Sequence, residues 1–251
     1  MSIIKATAMK LGISCAEFFT AVTSSKYPHV VKDKNFEVLA NKACQTKYTD
    51  SIWKLAAMES SFTSNILTFN RMGKVVGVYR NKEAINKAYE LNVDKNRYLS
   101  SDVAVLDRPN IDIGILQINL RYHGHENNFN FDVLKMLSPS NQIDYLVNVL
   151  APRLKNLCDK DWLYCYHSPF NTEFQNAYAG RLEKISQKLD ESVIKNYSFF
   201  KEKIRQERIQ VIESDPFYKI KIKNNKQNSR NLTSRFARED FFSYNKFLAG
   251  I

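Results

Sequence analysis

The chain has 251 residues, 44% of them hydrophobic and 12% aromatic, with only seven Gly and six Pro. That is enough for one well-cored domain with an extension, or two small domains, and it argues against a turn-dense β-sandwich. No run of 18 apolar residues occurs, so no transmembrane helix is expected. The net charge is +11, and +7 of it falls in residues 181–251. Such a balance favours polyanionic partners such as nucleic acid, anionic lipid or acidic wall polymer. Without clustered Arg or interleaved aromatics, a solvated Lys-rich surface is favoured over specific nucleic-acid binding.

Residues 1–34 form an N-terminal segment with two readings. Lys5 and Lys10 precede a mildly apolar run from Leu11 to Val22, the layout of a signal peptide. Glu17 interrupts that run and no small-x-small cleavage site follows, so a first helix carrying Phe18, Phe19 and Val22 is preferred. Phe36, Leu39, Ala40 and Ala43 then recur at helical spacing. In the next segment Ile52, Leu55, Ala56 and Glu59 share one helix face, with Asp50 or Ser51 as N-cap and the polar run from Ser60 as its end. A carboxylate at the last turn of an apolar face, with no Lys or Arg four residues on, is a candidate for a raised pKa and a general-acid role.

Two short runs, Ile66–Phe69 and Lys74–Tyr79, flank Asn70-Arg71-Met72-Gly73 and predict a β-hairpin. Asn81 is placed to cap a helix carrying Ala84, Ile85, Ala88 and Leu91. A polar connector runs from Asn92 to Asn110. Ile111 to Asn119 reads as one extended stretch holding two amides, Gln117 and Asn119. Ser138-Pro139 opens a helix with Ile143, Leu146, Val147 and Leu150 on one face. An aromatic-rich segment, Trp162 to Tyr166, leads into helical character from Gln175. A long charged helix from Arg181 to about Ile212 carries the stripe Leu182, Ile185, Leu189, Val193, Tyr197, Phe200 and Ile204, expected to pack on the main body. Asn224 to Ser234 reads as a loop, and Phe236, Phe241, Phe242, Tyr244 and Phe247 suggest that the terminus docks.

Cys15, Cys44, Cys158 and Cys165 form no CxxC pair, which excludes zinc-ribbon and thioredoxin readings. Four cysteines allow three complete pairings, and free buried thiols stand equally open. His123, His125 and Glu126 look like a metal cluster, but His-x-His in a polar loop is usually solvated, so no metal and no cofactor are assigned. P-loop, GxGxxG, HExxH and GxSxG motifs are absent.

Four segments line up in order: Glu59-Ser60-Ser61-Phe62; Gly114-Ile115-Leu116-Gln117-Ile118-Asn119; Pro139 with Asn141 and Ile143; and Tyr164-Cys165-Tyr166-His167-Ser168-Pro169, followed by Tyr178. The ordered set resembles the lytic transglycosylases with a lysozyme-like fold, in which an ES pair, a G-L-M-Q-I segment, a P-x-x-N-I helix start and a Y-N or Y-H-S segment recur in this order. The hairpin, the Glu83-Ala84 helix and the Asp112–Asn119 element between the first two segments are similar to the subgroup associated with type IV secretion and conjugation. The likeness covers roughly residues 35–185. Leu116 replaces the common Met, and His167 the common Asn.

The predicted elements give an α+β fold, mostly α, with a small β-hairpin; the resemblance implies a lysozyme-like domain over residues 35–189, and residues 190–251, outside it, read as a basic helical extension. It implies cleavage of the MurNAc-(β1,4)-GlcNAc bond of peptidoglycan to a 1,6-anhydro product, in the cell envelope, for local wall opening during assembly of a secretion machine. Glu59 would be the catalytic acid and then base, the substrate acetamide replacing the second carboxylate that other glycosidases use. Ser60, Gln117, Asn119, Tyr166 and Tyr178 would bind substrate. In an extended strand, positions 115, 117 and 119 share a side, so the two amides would face the saccharide together. Asp112 is assigned a turn or capping role. The implied partners are glycan strands and components of the secretion machine. The alternatives are a muramidase like goose-type lysozyme, in which Asp112 activates water, and a non-catalytic wall-binding or scaffold protein.

Overall fold

A computed structural model describes residues 2–94, 104, 108–124, 130, 132–158, 161–167 and 171–214. The described chain is mostly helical, with one four-stranded antiparallel sheet. It divides into two compact units, residues 1–198 and 199–251. The loop and aromatic readings after residue 214, the connector residues 95–103 and 105–107, and His125, Glu126, Ser168 and Pro169 lie outside the described residues.

The N-terminal segment folds as α1 (Ile3–Leu11), α2 (Cys15–Ser24) and a 3-10 turn (Pro28–Lys32). The α2 helix buries Phe18, Phe19 and Val22 completely. Ser2 and Ser14 cap α1 and α2 by accepting amide bonds from Lys5 and Glu17. The predicted stripe of α3 (Lys34–Gln45) is buried, and Asp33 caps it. The next helix, α4 (Thr49–Glu59), starts after Tyr48. Asp50 therefore does not cap its own helix. Its carboxylate accepts from Ser2 Oγ and the Ile3 amide, both at 2.6 Å, and so caps α1 instead.

The hairpin is longer than its sequence reading. Strands β1 (Ile66–Arg71) and β2 (Lys74–Arg80) leave a two-residue loop, Met72-Gly73, with φ of 49° and 75°. Two successive left-handed residues match the right-handed strand twist. Val76 is the extra residue where the register shifts at Phe69/Asn70. The sheet then gains β3 (Ile111–Ile113), paired with β1, and β4 (Ile118–Asn119), in the order β2-β1-β3-β4. Helix α5 (Asn81–Val93) packs on β1 and β2.

Short helices α6 (Leu120–His123) and α7 (Val133–Met136) lead to α8 (Pro139–Tyr145). It continues through a π turn (Leu146–Leu150) into α9 (Ala151–Leu157). Pro152 lacks the amide hydrogen that α geometry needs there, which accounts for the irregular turn. A 3-10 turn (Trp162–Cys165) precedes α10 (Thr172–Ser214), one uninterrupted helix. Within the first unit its stripe Tyr178, Leu182, Ile185, Leu189 and Val193 is buried. Asn196 donates to Ser25 Oγ at 3.3 Å, and Lys26 pairs with Glu191 at 3.2 Å. Of the stripe expected from the sequence, Leu182, Ile185, Leu189 and Val193 therefore pack on the body. Two disulfides, Cys15–Cys44 and Cys158–Cys165, select one of the three pairings. Among the described residues no helix is long and apolar enough to cross a membrane.

Candidate functional site

The site begins where α4 stops. Ile52, Leu55 and Ala56 are fully buried, so the face they share carries Glu59 into the body at the last turn. Ser61 and Phe62 then adopt left-handed backbone, with φ of 51° and 63°. For side chains other than Gly this conformation costs energy and persists only when packing enforces it. Phe62 supplies the enforcement: it is fully buried against Tyr27, Phe36 and Trp53, and its amide donates to Ala56 O at 3.0 Å. The chain is pulled sharply back, leaving Glu59 at a fixed, partly open corner.

Opposite that corner lies the turn Gly114–Gln117 between β3 and β4. It is not the extended stretch expected from sequence. Gly114 has φ 68° and Gln117 φ 50°, which breaks the alternation of residues 115, 117 and 119. The turn is held by a buried amide, Gln142, whose Oε1 accepts from the Leu116 amide at 2.8 Å while its Nε2 donates to Met136 O at 2.7 Å. A Cβ on Gly114 would stand 1.6 Å from Gln142 Nε2, so only glycine fits. Ser60 Oγ donates to Ile115 O at 2.7 Å, and Tyr166 Oη to Leu116 O at 2.7 Å. The end of α4, the 3-10 turn and α8 therefore all grip the same four residues.

The two predicted amides part company. Gln117 Nε2 donates to Gly114 O at 2.8 Å, and its Oε1 accepts from Thr68 Oγ1 at 2.7 Å. Asn119 donates to Asp112 Oδ1 at 2.6 Å and to Asn110 Oδ1 at 2.7 Å, while its own oxygen caps α6 through the Arg121 amide. Asn70 Nδ2 donates to the other Asp112 oxygen at 2.6 Å. Asp112 is thus pinned by one carboxamide on each oxygen, paired across the ladder with Asn119. The capping role expected of Asp112 belongs to Asn119.

Helix α10 completes the site. Tyr178 Oη donates to Glu59 Oε1 at 2.5 Å. Arg181 lies over the Tyr178 ring, 5.5 Å from its centre, and the His167 ring is parallel to it at 6.0 Å. Burial pushes the Glu59 carboxyl up to about 7; the Tyr178 bond pulls it down, the charge of Asp112 pushes it up, and Arg181 pulls it down. Asp112 is also raised by burial, against the bonds from Asn119 and Asn70 and the pull of His167. Burial, then the charge of Glu59, drives the hydroxyls of Tyr166 and Tyr178 well above the ordinary tyrosine range. Both stay neutral donors.

Of the residues picked from sequence, Glu59, Tyr166 and Tyr178 share one electrostatic site, and Ser60 and Gln117 are committed to its frame. Asn119 binds Asp112. Sequence reading misses Thr68, Asn70 and Gln142, placing Asn70 in the hairpin loop. Gln142 carries a legible signal: counted from Pro139, the amide position of P-x-x-N-I falls on Gln142, not on Asn141, which donates to Lys135 O. Among the described residues no His, Cys, Asp or Glu cluster could hold a metal, and His123 bonds Tyr145 Oη at 3.0 Å. No protein-family model, no curated protein and no solved structure matches the chain.

Proposed function

We propose that the protein is a peptidoglycan lytic transglycosylase that cleaves the MurNAc-(β1,4)-GlcNAc bond to a 1,6-anhydro product. The observation that carries this reading is the Glu59 carboxyl, poised near 7 and bound by Tyr178. A single group doing both proton transfers works best when its pKa lies near the operating pH. Protonated Glu59 donates to the glycosidic oxygen; the resulting carboxylate then accepts the proton of the muramic 6-hydroxyl as that oxygen closes on the anomeric carbon. Tyr178 stabilises the ionised carboxylate between the two transfers.

Asp112 bears on the choice between lyase and hydrolase. Both of its oxygens are engaged by side-chain amides. A carboxylate so held is poorly placed to activate a free water, which favours the internal 6-hydroxyl. The two disulfides suit an oxidising envelope compartment, and the net charge of +11 suits an acidic wall polymer. A place beside a secretion machine rests on the motif resemblance alone.

Purified sacculi digested with the protein should release anhydro-muramyl products, read by mass. Reducing-end muramic acid would mean a hydrolase like goose-type lysozyme. Binding without release would mean a wall-binding or scaffold protein. Glu59→Gln should lower release by at least a hundredfold while sacculus binding persists; a fully active variant refutes the assignment.

A further inference from the structure

A groove of about 310 Å³ is lined by Tyr164, Gln175, Asn176, Ala179, Gly180 and Glu183. The two elements that build it also carry Tyr166 and Tyr178 to the site: the 3-10 turn closed by Cys158–Cys165, and the first turns of α10. Gly180 follows Tyr178 by two residues, so on a helix it points roughly 200° around the axis. The α10 residues that line the groove fan roughly 60–200° around the axis from Tyr178, and Glu59, Tyr166 and Tyr178 are not among the lining residues.

Gly180 is otherwise unexplained. Glycine weakens a helix interior relative to alanine. Its φ is not left-handed, and an added Cβ would meet nothing within 4 Å. Neither backbone conformation nor close packing requires it. It lines the groove, where a large side chain in its place would stand. Around it stand one aromatic ring, two carboxamides and one carboxylate. The side chains of Tyr164, Asn176 and Glu183 make no hydrogen bond or ion pair within the described residues.

We infer that this groove is a second saccharide site, which holds one N-acetylhexosamine unit of a glycan strand by its ring face and hydroxyls. An aromatic face takes the apolar side of a sugar ring, and amides pair with hydroxyl and acetamido groups because each donates and accepts. The volume lies at the small end of ligand pockets, suited to one ring rather than to an oligosaccharide. Among the described lining residues, one carboxylate and no cation favour a neutral sugar over an anionic ligand. The choice of an N-acetylated sugar rests on the transglycosylase reading. The groove would keep the enzyme on the wall between cleavages.

The test titrates chitotriose into the full-length Glu59→Gln protein and follows backbone amides by nuclear magnetic resonance. Saturable shifts at Gly180 and Ala179 are expected, and Gly180→Phe, which fills the groove, should abolish them and weaken sacculus binding at least threefold. Shifts confined to the Glu59–Tyr178 neighbourhood, or a Gly180→Phe protein that binds like its parent, would overturn the inference. The far-ultraviolet circular dichroism of Gly180→Phe separates loss of the groove from loss of the helix, and Tyr164→Ala is the second variant if it unfolds. A wild-type protein that releases no product yet shows the Gly180 shifts would overturn the lyase reading and leave this site standing.

Discussion

At the scale of single residues, the proposed role of Glu59 would couple chemistry to stability. A carboxyl near 4.5 in the unfolded chain and about 7 in the folded one binds its proton more tightly when folded. Its contribution to stability is full below pH 4.5 and is lost as pH rises to 7 and beyond. The shift corresponds to at most about 3 kcal/mol. Urea unfolding at pH 4.5 and pH 8 should show the wild type losing up to that amount against Glu59→Gln, which cannot ionise. Parallel pH profiles would show that Glu59 is not desolvated in the folded state. On the proposed role of Glu59 as the acid, activity should fall above pH 7, where its carboxyl is deprotonated. Tyr178→Phe removes the bond that favours the ionised form, so this alkaline limb should move to higher pH. Its kcat should also drop by about tenfold or more, the scale of one hydrogen bond to a charged group.

At the scale of elements, the decisive contact is between α8 and the turn that joins β3 to β4. Gln142 is fully buried and satisfies both a turn amide and a helix carbonyl. Gln142→Leu would strand both groups away from water and should destabilise by roughly 2–4 kcal/mol. Gly114→Ala meets the same amide head-on and adds left-handed strain, so it should be as severe. Because the two residues occupy one space, the double variant should cost less than the sum of the singles. Denaturant titration of all four proteins measures this; strict additivity would mean that the turn does not depend on the amide.

Elements also differ in how far they are legible in the sequence. The α3 and α4 faces are legible because Phe36, Leu39, Ala40, Ile52 and Leu55 repeat at helical spacing and one buried face is a local property. The stretch from Ile111 to Asn119 misleads for a reason equally physical. Its run of apolar residues has no period that distinguishes a strand from a tight turn whose side chains are buried on every side. Ile113, Ile115, Leu116 and Ile118 are all buried, whatever their parity. Asn70 and Thr68 give no periodic signal, since their hydrogen-bond partners are distant in sequence; Gln142 is legible only by its spacing from Pro139.

At the scale of the whole molecule, two covalent ties secure the parts that bring Glu59 and Tyr166 into place. Cys15–Cys44 joins α2 to α3 across 29 residues, and Cys158–Cys165 closes a loop immediately before Tyr166 across seven. By chain entropy the longer tie is worth about 3–4 kcal/mol and the shorter about 2–3 kcal/mol. Replacing Cys15 and Cys44 by Ser should lower thermal stability more than activity at 25 °C. Replacing Cys158 and Cys165 should lower activity more than stability, because the Tyr166 hydroxyl is positioned from that loop. Melting curves and sacculus digestion on both pairs check the contrast; equal effects on activity would remove the special place given to the second tie.

Local spacing alone settles that Glu59 ends an apolar helix face, that the fold is mostly helical with a hairpin, and that α10 carries one apolar stripe. Each follows from residues within a few positions of one another, where helix and strand periods act directly. The rest comes from long-range packing: Tyr178 as the carboxyl's partner across 119 residues, Gln142 as the clamp on Gly114, Asp112 pinned by Asn70 and Asn119, and the cysteine pairing. Burial and hydrogen-bond satisfaction are set by what the folded chain brings together, and no spacing within a segment encodes that.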